Sequence, residues 1–164
     1  MDQAERREFV RTHRTAIFGY GRKHDGPSMT VVYYVMDGDA LLVSTMAGRG
    51  KARAVRRNSK VSLCVLDEQW PPTYLVVYCD ARVETDFART VDLMMRIAGV
   101  MAGQPMPETV RPMVEEAARR EDRVALRLTP YASFESPPRH VSAPADVNER
   151  LLHGYGALLP WASS

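Results

Sequence analysis

The stretch from Ser44 to Lys60 carries six cations, Arg49, Lys51, Arg53, Arg56, Arg57 and Lys60, and no acid. The 164-residue chain holds 22 Lys+Arg against 20 Asp+Glu, so the remainder has 16 against 20 and is net acidic. The stretch opens on Ser44-Thr45, the polar end of an apolar run, and Gly48 and Gly50 flank its first arginine. A strand end, a glycine-flanked turn and a helix start gather backbone N–H groups, a positive helix terminus and cationic side chains. That chemistry suits a phosphate or another polyanion. On a helical wheel begun at Arg49, the side chains of Arg53, Arg56 and Arg57 share its broad face, and Lys51 points roughly opposite. Arg49 and Lys51 can therefore grip one anion only from ahead of the helix or within its first turn, where glycine lets the chain bend.

Two other uses of the charge compete with this one. Nucleic acid is disfavoured, because residues 48–60 contain no aromatic side chain on which a base would stack. A solvated helix face, paired with acids elsewhere, is the plain structural reading. Two common phosphate motifs are excluded. Gly-Arg-Gly-Lys-Ala lacks the Walker A spacing, and Arg53 stands where a dinucleotide fingerprint has its last glycine.

Other candidates for chemistry are weaker. His13, His24, His140 and His153 are scattered without metal-ligand spacing, and no metal site is expected. Glu115-Glu116 and Glu121-Asp122 lie on a polar helical stretch and read as a solvated face. Tyr33, Tyr34, Tyr74 and Tyr78 are potential proton donors or ring contacts, but tyrosines on strands more often pack a barrel. No Ser-His-Asp or Cys-His arrangement follows from spacing. Cys64 and Cys79 sit in apolar strand-like runs and read as buried free thiols; a disulfide would need the two strands paired in the right register.

The elements that must position the basic segment follow from periodicity. Residues 3–14 predict a short amphipathic helix, and 15–21 a strand followed by turn chemistry at His24-Asp25-Gly26-Pro27. Residues 29–36 read as one β-branched and aromatic strand, turned by Asp37-Gly38-Asp39 into another over 40–45. The basic segment has helical character. Strands over 60–66 and 73–83 flank a loop holding Trp70-Pro71-Pro72. Helices over 87–101 and 109–120 come next, then a strand from 123 that continues past Pro130 to 134. After Pro137-Pro138 the chain reads as loop, with a weakly apolar tail over 151–161. Six strands linked mostly by hairpins predict an antiparallel barrel with helical attachments, since a parallel sheet would need a helix after nearly every strand. The helical insertion carries five of nine methionines, Met94, Met95, Met101, Met106 and Met113. They read as adaptable core filler, or as a pliable lid over a pocket for flat apolar compounds.

Length fits one domain, and 45% hydrophobic with 26% charged residues is ordinary globular composition. The apolar runs are strand-sized, which argues against a membrane span, and the charged N-terminal residues do not resemble a secretory signal. A cytoplasmic location is the expectation.

The motif order adds a resemblance. His13-Arg14 on a helix is followed by a strand and His24-Asp25-Gly26-Pro27. A strand with Tyr33-Tyr34, an Asp-Gly hairpin and a strand ending in Ser44-Thr45 lead to Arg49-x-Lys51-x-Arg53-x-x-Arg56-Arg57. This order resembles the flavin/deazaflavin oxidoreductases, split β-barrel proteins related to pyridoxamine 5′-phosphate oxidase. Within them it looks most like the actinobacterial branch that binds the deazaflavin coenzyme F-420, whose pattern there is R-x-K-x-R-N-L-R-R-D-P-R-V-S. The likeness covers roughly residues 8–84 and, less distinctly, 123–138. It departs from the pattern at Ala54, where Asn is usual, and at Asn58-Ser59, where Asp-Pro is usual. Val31 stands where many relatives have Pro or Asn. The missing Asn removes one side-chain hydrogen bond, worth about 1 kcal/mol net.

The resemblance implies an α+β, mainly β, split antiparallel barrel of the FMN-binding kind with peripheral helices. The barrel would span 1–140, with a helical insertion at about 86–120 and a tail over 141–164. It implies an F-420-dependent oxidoreductase acting on a small electron-poor substrate, as a homodimer with the cofactor at the subunit interface and no nucleic acid or membrane partner. Arg49 and Lys51 would hold the phosphate, with Arg53 beside them. Ser44, Thr45 and the backbone of Met46 and Ala47 would face the ring and ribityl chain, and Thr30 and Val31 would lie against the ring. Arg56 and Arg57 would follow a polyglutamyl tail, which F-420 has and FMN lacks. The alternatives are an FMN-dependent oxidase or reductase, and a non-catalytic binder of cofactor or haem on the same fold. Pyridoxamine 5′-phosphate oxidase proper is disfavoured, since Arg139-His140 only faintly echoes its C-terminal substrate-phosphate pattern.

Overall fold

The computed structural model describes residues 1–69, 73–135 and 157–162. Helix α1 (Gln3–Thr12) leads into strands β1 (Thr15–Tyr20), β2 (Ser28–Tyr33), β3 (Val35–Asp37) and β4 (Ala40–Met46). Helix α2 (Gly50–Arg57) and strands β5 (Lys60–Asp67) and β6 (Thr73–Glu84) follow. Then come α3 (Phe87–Ala102), a 3-10 turn (Glu108–Val110), α4 (Arg111–Arg120), β7 (Arg123–Glu135) and β8 (Ala157–Pro160). The strands form one sheet in the order β2-β1-β5-β6-β7-β4-β3, with β8 added on β7, and every pairing is antiparallel. It curls into an antiparallel barrel, as the hairpin pattern predicts, and the barrel is split, as the resemblance implies.

Alternation fills the barrel. Phe18, Leu41, Leu63, Leu75, Leu126 and Leu128 are fully buried inside it, joined by Val10 from α1 and Val55 from α2. The long β7 serves two neighbours: its first half pairs with β4 and its second with β8, while β6 runs beside both. Between them the register with β6 slips, because Tyr78 faces Ala132 while Cys79 faces Pro130. Pro130 has no N–H to give the ladder, and Tyr131 becomes the extra residue of a bulge that bends the strand.

The single strand expected over 29–36 is two. Tyr34 and Val35 are both buried, which breaks the inside–outside alternation, and β2 pairs with β1 whereas β3 pairs with β4. Tyr34 is fixed at the break by donating its hydroxyl to the Val10 carbonyl at 2.6 Å. Burial pushes its phenol pKa well up, so Tyr34 is a core hydrogen-bond donor and not a proton source. The hairpin at Gly38 is as expected, with a left-handed φ of 60° that favours glycine. Cys64 faces Val76 and Cys79 faces Val61, several residues apart along the ladder, and both thiols are free.

Trp70-Pro71-Pro72 and residues 136–156, with Arg139, His140 and His153 among them, lie outside the described residues. At the chain's end, residues 157–162 return to the barrel. Trp161 is buried in the main core, its backbone N–H donates to the Tyr131 carbonyl, and its backbone carbonyl accepts from Gln3 Nε2 at 2.8 Å. A separate apolar cluster, including Leu42, Leu93 and Ala125, seats α3 on the far side of the sheet. Asp86 caps α3 by accepting from the Arg89 N–H, and Gly103 ends it at a left-handed φ of 72°. No helix among the described residues is long and apolar enough to cross a membrane.

Candidate cofactor site

The basic segment becomes a turn and a short helix because the chain leaves β4 at Met46 and must reverse. The turn is fastened from three sides. The Ala47 N–H donates to the Asp122 carbonyl at 2.8 Å, the Arg49 N–H donates to the Met46 carbonyl at 3.0 Å, and Arg56 Nη1 donates to the Ala47 carbonyl at 2.8 Å. Arg49 takes the N-cap position in extended conformation, and Lys51 falls in the first turn of α2. Both cations therefore occupy the only places from which wheel geometry lets them act together. The first turn contains no acid to balance them.

This terminus opens onto a cavity of about 690 Å³ between the ends of β2 and β4 and the helices α3 and α4. The volume is within the usual range for a small-molecule or cofactor site. Of the residues expected at the site, Thr30, Val31, Ser44, Thr45, Met46, Arg49 and Lys51 line it. Lys51 is half-buried and donates to Thr30 Oγ1 at 2.7 Å. Loss of water, and then the neighbouring Arg49 charge, lower its pKa below the ordinary lysine value.

Ala47, Arg53, Arg56 and Arg57 do not line the cavity. Both backbone polar groups of Ala47 are already engaged, by Asp122 and by Arg56. Arg57 Nη2 bonds the Gly21 carbonyl at 2.8 Å, and Arg53, Arg56 and Arg57 are exposed on the outer face of α2. Among the candidate tyrosines, Tyr33 reaches the cavity, while Tyr78 packs against Tyr131 on the outer sheet.

Of the lining residues that the sequence did not single out, Tyr20 and Arg123 stand at the cationic end. Tyr20 sits against the first turn of α2, where a Cβ on Gly50 would come within 2.9 Å of its hydroxyl. A side chain at position 50 would therefore displace the Tyr20 hydroxyl, and nothing local in the sequence links the two residues. Arg123 stands opposite Met46 in the β4–β7 register and is held by Glu121 at 2.6 Å. Its place follows only from knowing which strand covers β4.

A flavin-type group fits what lines the cavity. Ser44 Oγ is buried with no hydrogen-bond partner among the described residues, an orphan beside the cavity that a ligand's polar edge would satisfy. Arg49, Lys51 and the first-turn N–H groups of α2 are donors for an anion. The Gly50–Tyr20 contact presses an aromatic hydroxyl to the same end.

Solved structures share this architecture. The conserved hypothetical protein Rv2991 from Mycobacterium tuberculosis is 20% identical with a TM-score of 0.73, over 89% of this chain and 94% of that one. A structure described as an F-420 reductase is 20% identical with a TM-score of 0.61, over 77% and 93%. HutZ, the heme storage protein from Vibrio cholerae, is 16% identical with a TM-score of 0.56, over 77% and 88%. At these identities the likeness establishes the fold, a split barrel. The family model described as pyridoxamine 5′-phosphate oxidase matches residues 3–135, and the chain belongs to that family. No curated protein matches it significantly in sequence.

The lowered lysine pKa has a testable consequence. Between the folded pKa of Lys51 and its unfolded value near 10.5, the unfolded chain binds more protons, so stability rises with pH across that window. Lys51→Met removes this contribution. Comparing thermal midpoints at pH 7 and pH 10.5, the difference between wild type and variant should move in the wild type's favour at the higher pH. A difference that stays constant would show that Lys51 is not desolvated.

Proposed function

We propose that this chain binds coenzyme F-420 and catalyses hydride transfer between it and an electron-poor organic molecule. The observation that carries this reading is the meeting of Arg49, Lys51 and the α2 terminus with the orphan Ser44 hydroxyl around one cavity. Bound there, such a coenzyme supplies a ring carbon that gives or accepts the hydride; the protein contributes orientation and exclusion of water. Arg49 and Lys51 hold the phosphate, and Thr30 keeps the lysine ammonium directed at it. Ser44 donates to the polar edge of the ring, and Thr45, Met46 and Val31 border its faces. Arg53, Arg56 and Arg57 extend the cationic surface beyond the cavity, where an acidic tail would run.

A second reading, FMN in the same seat, is favoured by one observation. Arg56 and Arg57 each spend a donor on a backbone carbonyl, a structural use that needs no ligand tail. Titrating cofactor-free protein with F-420 and with FMN, followed by ring fluorescence, separates the two. F-420 should bind the tighter at low salt, and its advantage should shrink as salt screens the arginines. Tighter FMN binding would give the seat to the flavin, and binding of neither would end the proposal.

The protein acts as a homodimer in this reading. Register places Val31, Ile17, Cys64, Val76, Phe134 and Leu158 side by side across six strands, on the outer face of the sheet. At roughly 4.8 Å per strand this apolar row runs about 24 Å. Val31 is 72% exposed, the neighbouring Met29 69% and Leu158 66%. A row of this length on a single chain marks an association surface. Because Val31 also lines the cavity, a second chain seated there would close the cofactor site. Val31→Glu should convert the dimer to a monomer in sedimentation and weaken cofactor binding; a variant that remains dimeric would remove this face from the interface.

A further inference from the structure

The cavity has two chemically different walls. The wall formed by β2, β4 and α2 carries the hydroxyls and cations described above. The wall opposite is built by the helical insertion and is wholly apolar: Met94, Ile97, Ala98 and Met101 from α3, then Met113, Val114 and Ala117 from α4. Arg123, which lines the cavity from the start of β7, is already paired with Glu121 through contacts at 2.6 and 2.7 Å.

The methionines of the insertion divide by position. Met95 is buried between α3 and α4 with Val91 and Ala118, and Met94 and Met106 pack against that cluster. Met94 also lines the cavity, whereas Met95 and Met106 do not. Met101 and Met113 are instead 56% and 71% exposed, too open to be core filler. With Met94 they give the cavity mouth three unbranched, polarizable side chains, which reshape around ligands more readily than branched ones.

We infer that the insertion is the substrate-selecting wall, and that Met94, Met101 and Met113 admit flat, uncharged, apolar acceptors and disfavour anionic ones. The inference rests on the cofactor reading only for the acceptor's role; the wall's preference for a ligand is independent of what occupies the cationic side. A charged ligand group seated against these side chains would give up water and gain no hydrogen bond from them in return. A planar aromatic ligand would bury its area against thioethers that contact ring edges favourably.

The test uses full-length protein and Nile red, a flat, neutral dye whose emission reports an apolar environment. Three proteins are compared, each with and without bound cofactor: wild type, Met101→Glu with Met113→Glu, and Met101→Leu with Met113→Leu. Both positions are exposed, so all three should fold with the same thermal midpoint; Met113→Glu alone, at the more open site, serves if the double variant does not. Nile red affinity should fall at least about tenfold in the glutamate variant and stay within about twofold in the leucine variant, with cofactor affinity unchanged in both. Wild-type dye affinity in the glutamate variant would overturn the inference and leave the cofactor reading standing. Loss of dye binding in proteins that bind neither F-420 nor FMN would uphold the apolar wall and remove the cofactor reading instead.

Discussion

Two like charges held at one short helix terminus, with no acid in the first turn to balance them, are the constraint that organises this molecule. Lys51 is half out of water, and that loss of water, then the neighbouring Arg49 charge, lowers its proton affinity. Folding creates this repulsion and loses stability by it. A chain tolerates such an arrangement where an anion relieves it. The surrounding bonds keep the charges from relaxing apart. Asp122 and Arg56 clamp Ala47, Thr30 ties down the lysine, and Gly50 admits the Tyr20 ring against the helix start.

The barrel makes this arrangement possible by bringing distant segments to one rim. Strand β4 ends at Met46 opposite Arg123 of β7, so the turn carrying Arg49 lies beside the junction with α4. The same β7, bent by the bulge beside Pro130, reaches the other end of the sheet and receives β8. One long strand thus joins the cationic rim to the buried Trp161 and to the outer apolar face. The α3–α4 insertion attaches between β6 and β7, and this connection alone lets two helices cover the β4 rim and enclose the cavity from the side opposite the cations.

Much of this was legible in the sequence, for local reasons. Alternation in 60–66 and 73–83, Asp37-Gly38-Asp39 and the helical spacing of 87–101 are signals carried by neighbouring residues, and each matches an element. The helical wheel also identified where Arg49 and Lys51 would have to stand. The break at Tyr34 was not legible, because MTVVYYVM is uniformly strand-forming and the break arises when Val10, on another element, captures the Tyr34 hydroxyl. The cavity's second wall was legible only as a choice between core filler and a lid. Five methionines in the insertion did not reveal that Met95 faces inward while Met101 and Met113 face the cavity. Tyr20 and Arg123 gave no sequence signal, since their roles come from strands far apart in the chain. For Arg56 and Arg57 the sequence showed the charge but not the backbone carbonyl that each of them also bonds.

The central claim is that Arg49 and Lys51 grip the anionic end of a redox cofactor. It is tested most directly by the dissociation constant of that cofactor for the Arg49→Ala/Lys51→Met double variant, measured beside wild type by ring fluorescence. Charged hydrogen bonds contribute about 1.5–3 kcal/mol each, and about 1.4 kcal/mol is a factor of ten, so affinity should fall at least about a hundredfold while the thermal midpoint does not fall. Equal affinity in a folded double variant would contradict the account.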